Sequence, residues 1–506
     1  MDESRLPVII GVGQYTNRSE DLSDAREPLE MMALVARLAE RDTGVPGLLG
    51  RVDSVRVVNV LGWGYEDPAR QLAERLGLRP REALYTAVGG NTPQWLANGT
   101  GDAIAAGGVG VALVAGAASI HSARLARKQG VTLPWSPRPS TTPPMVGDPR
   151  VGTREEELRH GAAAPIQIYP LFENALRAAR GRGLEEHRRH LGRLCERFAR
   201  VAADNPYAWF RDGKSAQEIS TVTPRNRMVG YPYTKYMNAI IEVDQAAAFL
   251  MTSAALAREL GVPQERWVYL WGGADATDVW WVTERLNFHS SPAIRWAGQR
   301  ALARAGLGVE EIDLFDLYSC FPCAVQVACD MLGIPEDDPR PLTVTGGLPY
   351  FGGAGNNYSS HAIAAVVERL RREPEKKGLV TALGWFMTKH AVGVYSATPP
   401  AHEWVPRDDA REQEALESAP HPELAAEAAG EGVVEAYTVM HGRDGQPERG
   451  IVVGRLRDAD ARSGRRFIAN TEADPSLLRS MTDREMVGEK GRLSHDPATG
   501  LNTITF

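Results

Sequence analysis

Long apolar runs are missing from this sequence. No stretch approaches the ~18 apolar residues of a membrane-crossing helix, and the segment MDESRLPVIIGVG holds only a short apolar run after a mixed-charge start. No membrane span is expected, and the chain reads as cytoplasmic. Cysteine is scarce too: Cys195, Cys320, Cys323 and Cys329 are the only four in 506 residues, which excludes a disulfide framework. Cys320-x-x-Cys323 lacks a second pair or a His cluster at zinc spacing, so no metal site is expected and the thiols read as reduced and largely core. Also absent is a long block of Lys or Arg that would follow a phosphate backbone. With a formal charge of −7, nucleic acid is not the expected partner.

What is present suits several hydrophobic cores. Apolar residues make up 43% and charged residues 24%, the balance of a globular protein, and the length calls for two to four units at roughly 100 to 200 residues each. Residues 1–120 alternate strand and helix signals: PVIIGVG, an amphipathic run from Pro28 to Arg41, VDSVRVVNVLG, ARQLAERLGL and LYTAVGG. A helix opening at Thr92-Pro93 leads to the apolar strand GVALVAGAAS, with Thr available as a cap and Pro suited to the first turn. Residues 121–242 turn to Pro-rich loops and a helix from Leu184 to Val201, and read as an insertion. The α/β pattern returns over 243–400, so an internal duplication is expected although no direct repeat is visible. Residues 401–435, rich in Ala, Pro and Glu, have the composition of a solvated connector. Residues 436–506 read as short strands joined by Asp-Gly and Gly turns, a small all-β barrel or sandwich.

In order and spacing these segments resemble the thiolases, and more closely the thiolase-like proteins of the acetyl-CoA acetyltransferase-homologue type with an added C-terminal domain. The likeness spans nearly the whole chain. It rests on PVIIGVGQYT, TAVGGNTPQWLANGTGDAIAAGGVGVALVAGAAS, NRMVGYPYTKYMNAIIEVDQAAAF, AGLGVEEIDLFDLYSCFPCAVQ and GGLPYFGGAGNNYSSHAIA followed by TALGWFMTKHAVGVYS. The resemblance implies an α/β fold: a duplicated thiolase fold of five layers, α-β-α-β-α, with a loop and helix insertion and a small C-terminal all-β domain of the OB type. It also implies acyl-CoA or CoA as substrate or ligand with no permanently bound cofactor, an acyl acceptor that the sequence does not identify, and a homodimer or a protein partner reached through the C-terminal domain.

The family's reactive groups are another matter. Thiolases activate acyl-CoA with a cysteine at the turn into a buried helix, whose amides favour a thiolate and hold an oxyanion. Counting back from Gly107 places Gly90 at that position, with Asn91 beside it. The second motif becomes Tyr318-Ser319-Cys320-Phe321, the third Gly352-Gly353-Ala354, and the fourth Ala382-Leu383-Gly384. His361 lies about two helical turns past the third motif, too far for a direct stand-in.

Two functions are therefore expected from different classes. One is an acyltransferase working on CoA thioesters without the usual cysteine, with His361, His390, Tyr318 or Cys320 in rearranged roles. The other is a non-catalytic acyl-CoA or lipid-thioester binder or scaffold. Ligand-binding candidates are Gly90, Asn91, Ser319, Gly353, Asn356, Asn357, Lys235 and Arg193. The cluster from Asn356 to His361 suits an oxyanion or phosphate site or a helix cap. Lys389-His390 offers a cation and a general base, or a surface pair. Cys320 and Cys323 are displaced nucleophiles or buried apolar residues. Arg193 belongs to an arginine stripe that fits phosphate or is a solvated helix face. Lys235 lies in an aromatic and basic segment that lines a tunnel or packs as a loop. From residue 436 onward eleven basic and ten acidic side chains are too balanced for single-strand nucleic-acid binding.

Overall fold

The computed structural model describes residues 2–457 and 464–506. Its first strand, β1 (Pro7–Asn17), is buried over nearly its whole length, as its continuous apolar run requires of a strand covered on both faces. In chain order there follow β2 (Ser54–Val57), β3 (Glu82–Tyr85), β4 (Ala112–Ser119), β5 (Met228–Gly230), β6 (Tyr233–Thr234), β7 (Asp244–Ser253), β8 (Val268–Thr277), β9 (Leu314–Asp316), β10 (Lys377–Gly384) and β11 (Lys389–Ser396). Nine of them form one sheet in the order β3-β2-β4-β7-β1-β8-β11-β10-β9.

That sheet is two copies of one pattern joined at a narrow seam. Strands β1 and β8 pair at Val8↔Tyr269 and Ile9↔Val268. On one side β2 runs parallel to β4, β4 antiparallel to β7, and β7 antiparallel to β1. On the other, β9 runs parallel to β10, β10 antiparallel to β11, and β11 antiparallel to β8. Leaving out the edge strand β3, the two halves have the same order and directions, so the duplication expected without a visible repeat is present in the strand pairing. The residue requirements repeat as well. A Cβ on Gly13 of β1 would stand 2.8 Å from the Ala39 amide nitrogen of helix Pro28–Thr43, and a Cβ on Gly272 of β8 would stand 2.8 Å from that of Ala305 in helix Pro292–Ala305. Each half thus uses glycine where its outer helix crosses its first strand.

The helices complete five layers. Pro28–Thr43 packs on β1, β4 and β7, and Pro292–Ala305 packs on β8 and β11. Between the halves lie Thr92–Ala105 and Tyr358–Arg372, which touch each other and strands of both halves. Both central helices begin with buried polar residues, Thr92 and Gln94 in one and Ser359, Ser360 and His361 in the other. The chemistry of the fold therefore collects at their N-termini. Among the described residues no helix is long and apolar enough to cross a membrane.

The C-terminal unit is a closed ring of five strands, β12 (Gly430–His441), β13 (Pro447–Leu456), β14 (Arg466–Asn470), β15 (Lys490–Asp496) and β16 (Leu501–Thr505). Strand β12 pairs with both β13 and β15, and the ring runs β12-β13-β14-β16-β15 with β14 and β16 parallel. This is the OB-type barrel of the resemblance. It is not all-β, however: helix Pro475–Asp483 lies between β14 and β15 and sends Leu478 and Met481 into the barrel core beside Tyr437 and Phe467. Asp474 caps that helix by accepting the amides of Ser476 and Leu477, with Pro475 in its first turn.

The barrel is not a detached module. Short strands β5 and β6 from the insertion extend its sheet through the pair Met440↔Gly230. The fully buried Arg466 of β14 donates to the Thr283 and Arg285 carbonyls of the body. The start of the acidic stretch before the barrel is likewise engaged, while most of residues 405–421 are exposed. Trp404 is buried and donates to Asp102, Arg407 pairs with Asp102 and Asp275, and Asp409 accepts both ends of the buried Arg304 guanidinium at 2.8 Å. The Asp409 carboxylate answers an arginine of the body, which composition alone does not reveal.

Candidate functional site

The turn Gly89–Asn91 delivers the chain into the central helix Thr92–Ala105. Thr92 does not cap the helix amides; its hydroxyl donates back to the Gly89 carbonyl at 2.8 Å. The turn is gripped instead from the second half. Asn356 accepts the Gly89 amide at 3.0 Å while donating to the Asn59 carbonyl, and Ser359 donates to the Gly90 carbonyl at 3.1 Å. The polar cluster after the Gly-rich segment therefore locks two halves together.

Gly90 has no room for a side chain. A Cβ there would overlap the Tyr318 hydroxyl and stand 2.6 Å from the Leu383 carbonyl oxygen. Tyr318 reaches this place because its amide donates to Thr381 at 2.8 Å and its ring meets Tyr358 edge-on at 5.5 Å. Burial raises its phenol far above the usual range, so it stays a neutral hydroxyl.

The hairpin joining β10 to β11 supplies the cation. Trp385 and Met387 both adopt left-handed backbone, at φ 55° and 52°, a conformation that costs bulky residues about 1 kcal/mol or more. Neighbours hold it: Tyr169 donates to the Trp385 carbonyl at 3.0 Å, and the buried Arg285 donates to the Met387 carbonyl at 2.9 Å and to the Thr388 hydroxyl at 2.9 Å. The turn sets Lys389 and His390 at the start of β11. Lys389 is 6% exposed, and its Nζ donates to the Val88 carbonyl at 2.6 Å. Burial lowers its pKa to about 8; Asp148 opposes the shift and Arg150 adds to it. The amine and Asn91 line a cleft of about 320 Å³ with Trp95, Asp148, Asp275 and His390.

His390 is buried, 3.0 Å from the Met387 carbonyl and 3.7 Å from Asp278. Burial pushes the Asp278 carboxyl up, and hydrogen bonding with His390 and the Arg285 charge more than reverse this. His361, in contrast, is enclosed. Its Nδ1 meets the Gln14 amide oxygen at 2.9 Å, its Nε2 has no partner among the described residues, and its ring packs 5.0 Å from Phe351. Burial alone lowers its pKa to about 3. It is a neutral core imidazole outside the cleft.

Cys320 and Cys323 are also core. Burial pushes the Cys320 thiol up to about 12 and Cys323 well above its ordinary value, so neither is a thiolate near neutrality. Ser319 accepts the Leu348 amide at 3.3 Å, Gly353 donates to the Ile240 carbonyl at 2.7 Å, and Asn357 donates to the Gly116 carbonyl at 2.7 Å. Lys235 and Arg193 are exposed. The structure therefore gathers Gly90, Asn91, Asn356 and Tyr318 around one turn, with His390 beside Lys389 on the cleft. It does not bring His361, Cys320, Lys235 or Arg193 to them. Sequence reasoning missed Asn59, Asp148 and Asp275, which only tertiary pairing places here. Among the described residues no group of three or more His, Cys, Asp or Glu is arranged to hold a metal ion.

The duplicated halves, the paired central helices and a site at their N-termini define a thiolase fold. Comparison agrees. A family model described as the thiolase-like protein type 1 additional C-terminal domain matches residues 412–498. The crystal structure of a monomeric SCP2-thiolase-like protein type 1 from Mycobacterium smegmatis is 35% identical over 100% of both chains, with a TM-score of 0.85. The chain belongs to the SCP2-thiolase-like type 1 family. Two more distant structures share the fold at 16% identity: an acetyl-CoA acetyltransferase from Syntrophomonas wolfei (TM-score 0.56, covering 78% of this chain and 99% of its own) and an Ltp2-ChsH2(DUF35) aldolase (0.59, 78% and 98%). No curated protein matches the chain.

Proposed function

We propose that the protein binds an acyl-CoA or a related thioester in its thiolase-type site and that no cysteine of the chain takes up the acyl group. One observation carries this: at Gly90, which we take as the counterpart of the thiolase nucleophile, the space for a side chain is occupied by the Tyr318 hydroxyl. The two cysteines of the second motif supply no substitute, since burial keeps both protonated. His361 supplies no base to the turn, because it lies outside the cleft and burial lowers its pKa to about 3. What persists is a turn whose amides open a buried helix, next to a neutral phenol and a cation, which suits holding a polarised carbonyl.

A second reading, acyl transfer to an unidentified acceptor without a covalent intermediate, is favoured by Lys389. An amine with a pKa lowered to about 8, next to His390, is a competent general base near neutral pH. The monomeric state of the Mycobacterium smegmatis relative supports a monomer here in place of the expected homodimer. The binding claim is tested by calorimetric titration of the full chain with CoA, acetyl-CoA and a long-chain acyl-CoA. Saturable heat with at least one thioester is expected. Absence of heat with all three removes both readings.

A further inference from the structure

The cleft beside the Gly89–Asn91 turn brings the Lys389 amine, read above as a cation or base for a thioester, together with an unspent acceptor. Its floor is the amine of Lys389, 2.6 Å from the Val88 carbonyl. Every acid on its walls is engaged: Asp148 accepts Arg150 at 2.8 Å, Asp275 pairs with Arg407, and Asp409 pairs with Arg304. Among the described residues no carboxylate lies within ion-pair distance of Lys389. Next to it the Asn91 side-chain oxygen is buried without a hydrogen-bond partner among the described residues. Both atoms flank one point, since a Cβ built on Gly89 would meet the Asn91 oxygen and would stand 3.0 Å from Lys389 Nζ. A buried acceptor left unpaired costs about 1–3 kcal/mol, so its retention beside an unpaired amine points to a ligand that satisfies it.

We propose that Lys389 is a carbonyl-capture site, its amine forming an imine with an aldehyde or ketone small enough to enter this cleft. The neutral amine adds to the carbonyl carbon, forming the C–N bond, and the π pair moves to oxygen. That oxygen takes up the proton that nitrogen releases, and the resulting hydroxyl donates to the Asn91 side-chain oxygen. With one further proton the hydroxyl leaves as water, and the nitrogen lone pair closes the iminium. The Val88 carbonyl aims the amine, and Trp95 with Ala87, Val146 and Ala276 gives the carbon chain an apolar wall. With its pKa lowered to about 8, roughly half of the amine is free base at pH 8, against less than about 1% for an ordinary exposed lysine. The proposal does not depend on thioester binding.

Lys389 is one of seven lysines, and the other six are exposed or only partly buried, which gives the test an internal standard. The full-length protein is incubated with butanal and sodium cyanoborohydride between pH 6 and 10, digested, and each lysine's alkylation rate is measured by peptide mass spectrometry. Lys389 is expected to be labelled at least tenfold faster at pH 8 than any other lysine, with a rate that saturates in butanal and levels off above pH 8. Lys389→Arg, which keeps a donor to Val88, removes that fast label and leaves the other six unchanged. Labelling of Lys389 no faster than that of the exposed lysines overturns the proposal, and because the comparison is made within the wild-type chain it holds even if the variant fails to fold.

Discussion

Gly90→Cys will place a cysteine where we propose that the thiolase nucleophile would stand and still yield no acyl-enzyme. The new Cβ overlaps the Tyr318 hydroxyl and stands 2.6 Å from the Leu383 carbonyl oxygen, which belongs to β10 and cannot swing aside. Overpacking of this kind costs about 1–3 kcal/mol, and a loss of that size is expected in urea titration. Combining Gly90→Cys with Tyr318→Ala removes the phenol. The double variant is expected to expose a thiol at the N-terminus of helix Thr92–Ala105, where the helix amides favour the thiolate. Intact-protein mass spectrometry after incubation with acetyl-CoA should show an acetyl adduct on the double variant alone. An adduct on Gly90→Cys by itself would mean that Tyr318 yields, and that the blocked position is no barrier to acylation.

Acidification will expose the cost of enclosing His361. Its pKa falls from 6.5 to about 3 on burial, so between those values the unfolded chain binds a proton that the folded chain refuses. By linkage, stability is fully present above about pH 6.5 and is lost as pH falls through the window. For this one group the loss between pH 8 and pH 4 is on the order of 3 kcal/mol, at 1.36 kcal/mol per pK unit. His361→Gln keeps a polar group for Gln14 and removes the titration. Urea titrations at both pH values should show the variant less stable than wild type at pH 8, with that deficit shrinking or reversing at pH 4. An equal deficit at both would show that His361 is solvated and titrates normally.

Much of the fold was legible because each element announces itself locally. The amphipathic run after Pro28, the Pro opening at Thr92-Pro93 and the apolar strands all appear where their patterns place them. The duplication was legible only as alternation, since β1 and β8 share a place within their halves and a glycine at the helix crossing but little else in sequence. Helix Pro475–Asp483 was overlooked although Asp474-Pro475 is a helix-start signal, because the Gly-rich strands around it dominate the pattern. The site was less legible. That Gly90 lacks a thiol can be read directly, while His361 lies in the first turn of helix Tyr358–Arg372 and not two helical turns past the third motif. That the Tyr318 hydroxyl fills the vacant place, and that Lys389 lies under Gly89, are facts of tertiary packing between the two halves. No local pattern encodes them.

The central claim is that the site engages a thioester without a protein thiol carrying the acyl group. Incubating the wild-type chain with excess acetyl-CoA, then following free CoA thiol and intact protein mass over hours, tests it most directly. The account predicts an unchanged mass at all four cysteines. An acetyl group on Cys320 or Cys323 would contradict it.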